Sequence, residues 1–311
     1  MKKIWKFLVH HLREDFHPGQ YISTAILLAL CLSLNYAFDF EDYYLETLYG
    51  ISKYVAYFFF YAIPYFCGIF IFAYFKKRMD IFSESGFWLR TLFAIAILTL
   101  DGSLPYVDDV VNYFSNPMTQ NWVYKVVING ISFLTVFLPI LIFYYRYDRD
   151  LGHRYGLSSY QFDAKPYFIM LLIMLPLIIM ASYNPAFIRQ YPMYHSSSAH
   201  ISLDVEEWVI VAVYEIAYGL DFITVEYLFR GFMVLALAKF LGRSAVITMA
   251  VVYCVLHFGK PAGEAMSSIF GGYILGVVAY ETRSVWGGII VHMGIAWMME
   301  IVAFIRKVAV S

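Results

Sequence analysis

Long apolar runs recur along the whole chain of 311 residues and decide what it can fold into. A helix that crosses a bilayer needs roughly 20 mostly apolar residues, because its backbone groups must bond within the helix itself. We count nine candidate spans, at residues 21–38, 51–75, 86–101, 122–145, 166–183, 207–238, 244–258, 265–281 and 285–305. Only 14% of the residues are charged, against about 25% in soluble domains. The sequence therefore predicts an all-α, polytopic transmembrane bundle with about eight or nine spans.

The charges of the connecting segments indicate an orientation. Lysine and arginine recur near the N-terminus and after the second, fourth and sixth spans, whereas residues 39–50 and 102–121 contain only acidic charges. By the positive-inside rule, we expect a multi-pass protein of the cell (inner) membrane with its N-terminus in the cytoplasm. Trp5, Leu8 and Leu12 lie near one helical face, which predicts a short helix in the membrane interface; a solvated tail is the alternative.

The chain divides at a long polar connection. We predict a cytoplasmic or interfacial segment at 1–20, a front bundle of about five spans at 21–183, an extracytoplasmic loop at 184–206, and a back part of four spans at 207–311. A net charge of −1 gives no case for a nucleic-acid partner. The apolar spans make membrane lipid the expected partner. The oligomeric state stays open. The three cysteines lie in apolar runs without metal-type spacing and are expected to be buried.

Ionisable residues at the centre of the apolar spans are concentrated in the back part. They are Glu215, Asp221, Glu226, Arg230, His257, His292 and Glu300. Charge at membrane depth is costly and usually faces a protein interior or a water-filled cavity, so these residues predict a site. Counted at 1.5 Å per helical residue, Glu226 and His257 lie at a similar depth, with His292 one or two turns nearer the cytoplasm.

Glu226 and Arg230 are four residues apart, so they share a helix face and can pair. The simpler alternative is a buried ion pair that only fixes helix packing, and each histidine alone could be an ordinary packing residue. The pair and two histidines on separate late spans together favour a functional site. Gly272 and Gly276 form a GxxxG step that predicts close packing of the eighth span against a neighbour.

Three short motifs in this region resemble the CPBP family, the CAAX-protease and bacteriocin-processing intramembrane proteins. The family's first motif consists of two glutamates, three further residues and an arginine. The sequence VEYLFRG at 225–231 is similar to it. Its aromatic residue four positions before a histidine resembles YCVLH at 253–257, and its histidine followed four residues later by asparagine resembles HMGIA at 292–296. The similarity covers about residues 205–300.

The resemblance implies a CAAX-type intramembrane endopeptidase, a hydrolase that cuts a membrane-anchored protein or peptide. In the family, the first glutamate activates water, and the histidines hold that water and stabilise the oxyanion. The catalytic residues that the resemblance implies are Glu226, Arg230, His257 and His292. Asp221, Glu215 and Tyr253 are candidate auxiliary residues; Asp221 and Glu215 are chosen for their positions on the helix of Glu226. No cofactor is predicted, although zinc bound by the histidines and a glutamate stays an alternative.

Two positions depart from the family pattern. Val225 stands where the family has its first glutamate, and Ala296 where it has asparagine. Adjacent helical residues point about 100° apart, so Glu226 does not simply replace the missing side chain, whereas Asp221 lies one turn from Val225 on the same face. The alternative function is therefore a catalytically impaired pseudo-protease that acts as a membrane binding, chaperone or immunity protein. A proton-coupled transporter is disfavoured because the sequence shows no inverted repeat.

Overall fold

The structure, a computed structural model, describes residues 2–104, 107–158, 162–194 and 198–310. Within these ranges the chain is helical and contains no β-strand, which confirms the predicted all-α membrane bundle. The α-helices are α1 (Lys2–Asp15), α2 (Pro18–Phe38), α3 (Gly50–Phe75), α4 (Ser85–Ser103), α5 (Val107–Phe114), α6 (Gln120–Ser132), α7 (Leu138–Tyr147), α8 (Lys165–Ala181), α9 (Pro185–Gln190), α10 (Ala199–Leu203), α11 (Glu207–Glu226), α12 (Ala238–Leu241), α13 (Ala245–Val255), α14 (Ala262–Thr282) and α15 (Trp286–Val310). Wider π-helical turns lie at Glu41–Leu45, Phe133–Phe137 and Tyr227–Ala236.

Seven stretches of the described chain are long and apolar enough to cross a membrane, so this is a multi-pass membrane protein. They are Pro18–Phe38, Gly50–Phe75, Gln120–Tyr147, Glu207–Ala236, Ala238–Val255, Ala262–Thr282 and Trp286–Val308. Helix α8 is apolar but shorter, and α4, on which the third predicted span falls, is not among the seven. Arg90 and Asp101 interrupt the apolar character of α4, and both have partners inside the protein, since Arg90 pairs with Asp148 and Thr135 donates to Asp101 at 2.7 Å.

The N-terminal helix α1 packs on the bundle with one face and leaves the other exposed. Ile4 and His11 are buried, and the His11 ring lies edge-on against two tyrosine rings of α14. Burial, together with the nearby Arg243 guanidinium, lowers the pKa of His11 to about 4. Trp5 is 68% exposed and Leu12 39% exposed, so these two residues lie on the face that can contact lipid.

The π-helix Tyr227–Ala236 lies at the centre of the protein. Each of its ten residues is buried, and α4, α13, α14 and the segment around Tyr155 surround it. A Cβ atom at Gly231 would come within 2.7 Å of the Tyr155 carbonyl oxygen, so the close approach of this segment requires glycine. A π-helix bonds each residue to the fifth one along and often marks a functional site.

Asp148 fixes that segment to the bundle. Its carboxylate is fully buried and accepts hydrogen bonds from Arg90, from Tyr155 at 2.6 Å and from Lys239 at 2.9 Å. Burial alone would raise the pKa of Asp148, but the bonds from Arg90, Tyr155 and Lys239 outweigh it and hold the pKa below its usual value. Asp148 and Tyr155 of the charged connector after α7 therefore belong to the core.

Helices α13 and α14 form a hairpin with glycine at its contact. Helix α13 has only 11 residues, all of them buried, so it is about 16 Å long. A Cβ atom at Gly272 would lie 2.8 Å from Tyr253 Cδ1, and one at Gly276 would lie 2.9 Å from Val246 Cγ1. The close packing predicted from the GxxxG step is confirmed, and the neighbour is α13 of the same chain.

The segment that we predict as an extracytoplasmic loop contains the short helices α9 and α10. Residues 195–197, part of its serine run, lie outside the described residues. The Met193 backbone N–H donates to both carboxylate oxygens of Glu300, at 2.9 and 3.0 Å, which holds this segment against α15.

Candidate active site

Glu226 and Arg230 form a fully buried ion pair where α11 passes into the central π-helix. Arg230 Nη1 lies 2.8 Å from Glu226 Oε1, and neither side chain is exposed. The guanidinium lies over the Tyr253 ring, 4.1 Å from its centroid, which adds a cation–π attraction. Among the described protein atoms, none of the three guanidinium nitrogens of Arg230 makes a hydrogen bond of good geometry, so the 2.8 Å contact of Nη1 with Glu226 is an ion pair. The ion pair with Glu226 and the cation–π contact with Tyr253 therefore offset the free-energy cost of burying the arginine charge.

His292 reaches the same carboxylate from α15. Its Nδ1 lies 3.0 Å from Glu226 Oε1, and a carboxylate only accepts hydrogen bonds, so we assign the proton to Nδ1. The other nitrogen, Nε2, lies 3.4 Å from the Tyr253 hydroxyl, which can donate to it. The Phe222 ring packs against the imidazole at 4.4 Å. The His292 side chain is 17% exposed, so it is the more accessible end of the group.

His257 lies in the turn that follows α13. Its Nδ1 is 2.8 Å from the Tyr253 carbonyl oxygen, so Nδ1 donates and Nε2 is left as the acceptor. Its ring packs against the Tyr253 ring with centroids 4.7 Å apart. Tyr253 thus contacts Arg230, His257 and His292 and lies at the middle of the group.

The second carboxylate oxygen of Glu226 is buried and free. Oε2 has no hydrogen-bond partner within the described part of the protein. It lies directly against Gly288 of α15, where a side-chain carbon would collide with it. The motifs did not point to Gly288; the only sequence signal was a pair of glycines near the start of the last span. The glycine lets Oε2 lie against the backbone of α15, and a buried oxygen left without a partner is a place where a bound water is expected.

The match to known families falls on the helices that carry this group. Residues 207–298 match the family model described as type II CAAX prenyl endopeptidase Rce1-like. The match confirms the resemblance to the CPBP family over this C-terminal region, which we call the CPBP region. The matched residues run from the start of α11 into α15 and include Glu226, Arg230, His257 and His292. No curated protein and no solved structure gave a match.

Within the CPBP region, the direct neighbour of Glu226 is His292. The residue count predicted that Glu226 and His257 lie at the same membrane depth and that His292 lies nearer the cytoplasm. In the structure, His292 bonds to the Glu226 carboxylate, and His257 bonds to the Tyr253 carbonyl. The estimate of depth from 1.5 Å per residue assumes that the helices are regular α-helices and parallel to one another. The chain instead enters a π-helix after Glu226, and His257 lies beyond the end of α13.

Two of the predicted auxiliary residues lie elsewhere in the CPBP region. Asp221 accepts a hydrogen bond from Thr224 at 3.2 Å, within its own helix, and α11 packs there against α6. Glu215 lies nearer the N-terminal end of α11, where its carbonyl accepts from Trp297 at 3.0 Å. The structure therefore brings together Glu226, Arg230, Tyr253, His257 and His292, and leaves Asp221 and Glu215 outside this group.

The two positions that depart from the CPBP motifs have apolar surroundings. Val225 is partly buried and packs against the main hydrophobic core. Ala296 is 4% exposed and lies in a cluster with the rings of Tyr194, Tyr214 and Tyr218. Of the first-motif positions 225 and 226, it is Glu226 that presents a carboxylate to a histidine of the matched region, His292.

The donor atoms do not form a zinc site. Within the described ranges, no three His, Cys, Asp or Glu side chains lie close enough together to hold a metal ion. Glu226 Oε1 already contacts Arg230 and His292 Nδ1, whereas zinc sites with an open position use three protein ligands that point at one centre. The arrangement instead suits a water molecule bound beside Glu226.

Proposed function

We propose that this protein is an intramembrane endopeptidase that hydrolyses a peptide bond of a membrane-anchored protein or peptide. The observation that carries the proposal is the buried Glu226 carboxylate. Oε1 is bound by Arg230 and His292, and Oε2 is free beside Gly288. This combines a fixed base with an oxygen that has no partner and can accept a hydrogen bond from the water it would activate. The family match over 207–298 supports the same class of reaction.

In the proposed reaction, Glu226 Oε2 takes a proton from a bound water as the water oxygen attacks the peptide carbonyl. A carbon–oxygen bond forms, and the electron pair of the carbonyl moves to its oxygen. The carbon–nitrogen bond then breaks, and the proton held by Glu226 passes to the leaving amine. His292, which donates to Oε1 at 3.0 Å, fixes the carboxylate so that Oε2 stays aimed at the water.

Two further side chains, Tyr253 and His257, have hydrogen-bonding groups that can serve the reaction. The Tyr253 hydroxyl can turn from His292 Nε2 to the oxyanion and donate to it. His257 donates through Nδ1 to a carbonyl, so its Nε2 can accept from the second O–H of the water. Arg230 balances the carboxylate charge and keeps the pair in place during each turnover.

The proposed setting is the inner membrane, with the N-terminus in the cytoplasm. The basic loops on one side and the acidic loops on the other support this orientation. Membrane lipid is then the surrounding partner, and a substrate anchored in the same bilayer reaches the buried carboxylate without crossing bulk water.

The experiment uses the full chain in lipid nanodiscs with two reporters, a prenylated peptide and a transmembrane peptide, and mass spectrometry of the products. Glu226→Gln should lower the cleavage rate by at least 100-fold, in line with the loss of general-base catalysis. Glu206→Gln, at an exposed carboxylate of the same region, is the matched control and should leave the rate unchanged. Cleavage that persists at the normal rate in Glu226→Gln would refute the assignment.

The second candidate is a pseudo-protease that binds membrane segments without cutting them. The apolar surroundings of Val225 and Ala296 favour it, because the family places polar groups there. The double variant Val225→Glu/Ala296→Asn separates the two functions. An endopeptidase that uses Glu226 should lose stability and gain no activity from buried polar groups. A pseudo-protease should instead begin to cleave a reporter that the native chain only binds.

A further inference from the structure

We propose that the C-terminal end of α2 positions His257, with Asn35 and Glu41 as positioning residues that clamp the turn between α13 and α14. Both residues lie outside the family match at 207–298. The inference rests on the proposed function, because it assigns the front part of the chain a role in the same site.

The turn that carries His257 has little regular structure of its own. Helix α13 ends at Val255 and α14 begins at Ala262. Two backbone hydrogen bonds form the turn: His257 N donates to the Cys254 carbonyl at 3.0 Å, and Lys260 N donates to the His257 carbonyl at 3.0 Å. The position of the His257 ring therefore depends on what holds the turn from outside.

Asn35 provides one such contact from inside the protein. Its Nδ2 donates to the Phe258 carbonyl at 3.2 Å, and its Oδ1 accepts from the Glu41 backbone N–H at 3.1 Å. Asn35 and Phe258 are both buried. One amide side chain thus joins the residue after His257 to the segment that follows α2. The neighbouring Tyr36 hydroxyl donates to the Lys260 carbonyl at 2.7 Å, so two backbone oxygens of the turn bond to α2.

Glu41 closes the clamp from the other side. Its carboxylate lies against Gly259, where a Cβ atom would come within 2.6 Å of Oε2. The Tyr57 hydroxyl lies between two carboxylates, 3.1 Å from Glu41 Oε1 and 2.5 Å from Glu46 Oε1, and shares its proton with both. Glu41 Oε2 is buried and has no hydrogen-bond partner in the described part of the chain. Gly259 is therefore the residue that allows the carboxylate to touch the turn.

These contacts act on His257 because the turn is short. Phe258 and Gly259 follow His257 directly, so a displacement of either moves the His257 backbone and the bond from Nδ1 to the Tyr253 carbonyl. Loss of one buried hydrogen bond that leaves its partner unsatisfied should increase opening of the turn on the order of tenfold. The histidine would then be misplaced without any change in its own side chain.

The test compares Asn35→Ala with Tyr21→Phe in the full chain in nanodiscs. Tyr21 is on the same helix and bonds to Tyr273 of α14 at 2.8 Å, away from the turn, so it is the matched control. Hydrogen exchange over 256–262 reports the turn. Nitrogen NMR of labelled histidine, with His257→Ala to assign the signal, reports the ring.

Asn35→Ala should raise exchange over 256–262 about tenfold, shift the His257 signal, and lower kcat for the cleaved reporter at least fivefold with KM nearly unchanged. Tyr21→Phe should change none of these. Unaltered exchange and an unaltered His257 signal in Asn35→Ala would overturn the clamp. If the native chain cleaves neither reporter, the proposed function fails, and exchange and NMR still decide whether Asn35 holds His257.

Discussion

Glutamine at position 226 keeps the shape of the native side chain and removes its charge, so Glu226→Gln isolates the electrostatic part of the buried pair. Arg230 would remain charged and fully buried, with only the Tyr253 ring and a neutral amide beside it. Removing one partner of a buried pair costs about 3–5 kcal/mol. The glutamine oxygen can still accept from the guanidinium, so we expect the lower end, about 3 kcal/mol, for the loss in free energy of unfolding.

The assay is reversible unfolding of the full chain in mixed detergent micelles, with Arg230→Met as the second arm of a double-mutant cycle. Glu226→Gln/Arg230→Met removes both charges and should be more stable than Glu226→Gln alone, because no uncompensated charge is left. Asp80→Asn is the control, since Asp80 pairs with Arg78 in an exposed ion pair and its loss should leave the free energy of unfolding nearly unchanged. A loss below 1 kcal/mol for Glu226→Gln, or a double variant less stable than it, would refute the reasoning.

Three further predictions test other contacts. Gly272→Ala should cost about 1–3 kcal/mol by overpacking against Tyr253, measured by the same unfolding assay; a neutral result would contradict the close approach. Asp148→Asn should lower stability at neutral pH, and the difference from the native chain should disappear as the pH falls below about 4, because the low pKa of Asp148 makes its contribution present only when it is ionised. Burial, helped by Asp42, raises the pKa of Glu41 to about 7. Its contribution is therefore complete below about pH 4.5 and lost as the pH rises through 7, so the melting temperature should fall between pH 5 and 8 in the native chain and stay flatter in Glu41→Gln.

Local spacing in the sequence predicted part of the site. The four-residue interval between Glu226 and Arg230 puts both on one helix face, and the structure pairs them at 2.8 Å. The GxxxG step predicted a close helix contact, which Gly272 and Gly276 make with α13. The membrane class followed from composition and apolar runs, because lipid imposes one strict requirement on every span.

Contacts between distant parts of the chain could not be predicted in the same way. Asn35 and Phe258 are 223 residues apart, and no periodic pattern links them. The contact between His292 and Glu226 depends on the π-helix, which a count of α-helical rise does not include. Gly288 was missed because a glycine in a span has several possible reasons, and only the position of Glu226 Oε2 selects one.

The wide turns of Tyr227–Ala236 also determine how the site would respond to a change in chain length. A π-helical turn holds about one residue more than an α-helical turn, so the loss of one codon within the segment can be absorbed by a return to α-helical turns that leaves the residues beyond it near their present directions. A deletion just after Glu226 would place the arginine three residues away, a spacing at which the two side chains still meet. Length variation of one residue in this stretch among relatives would therefore be compatible with an intact ion pair.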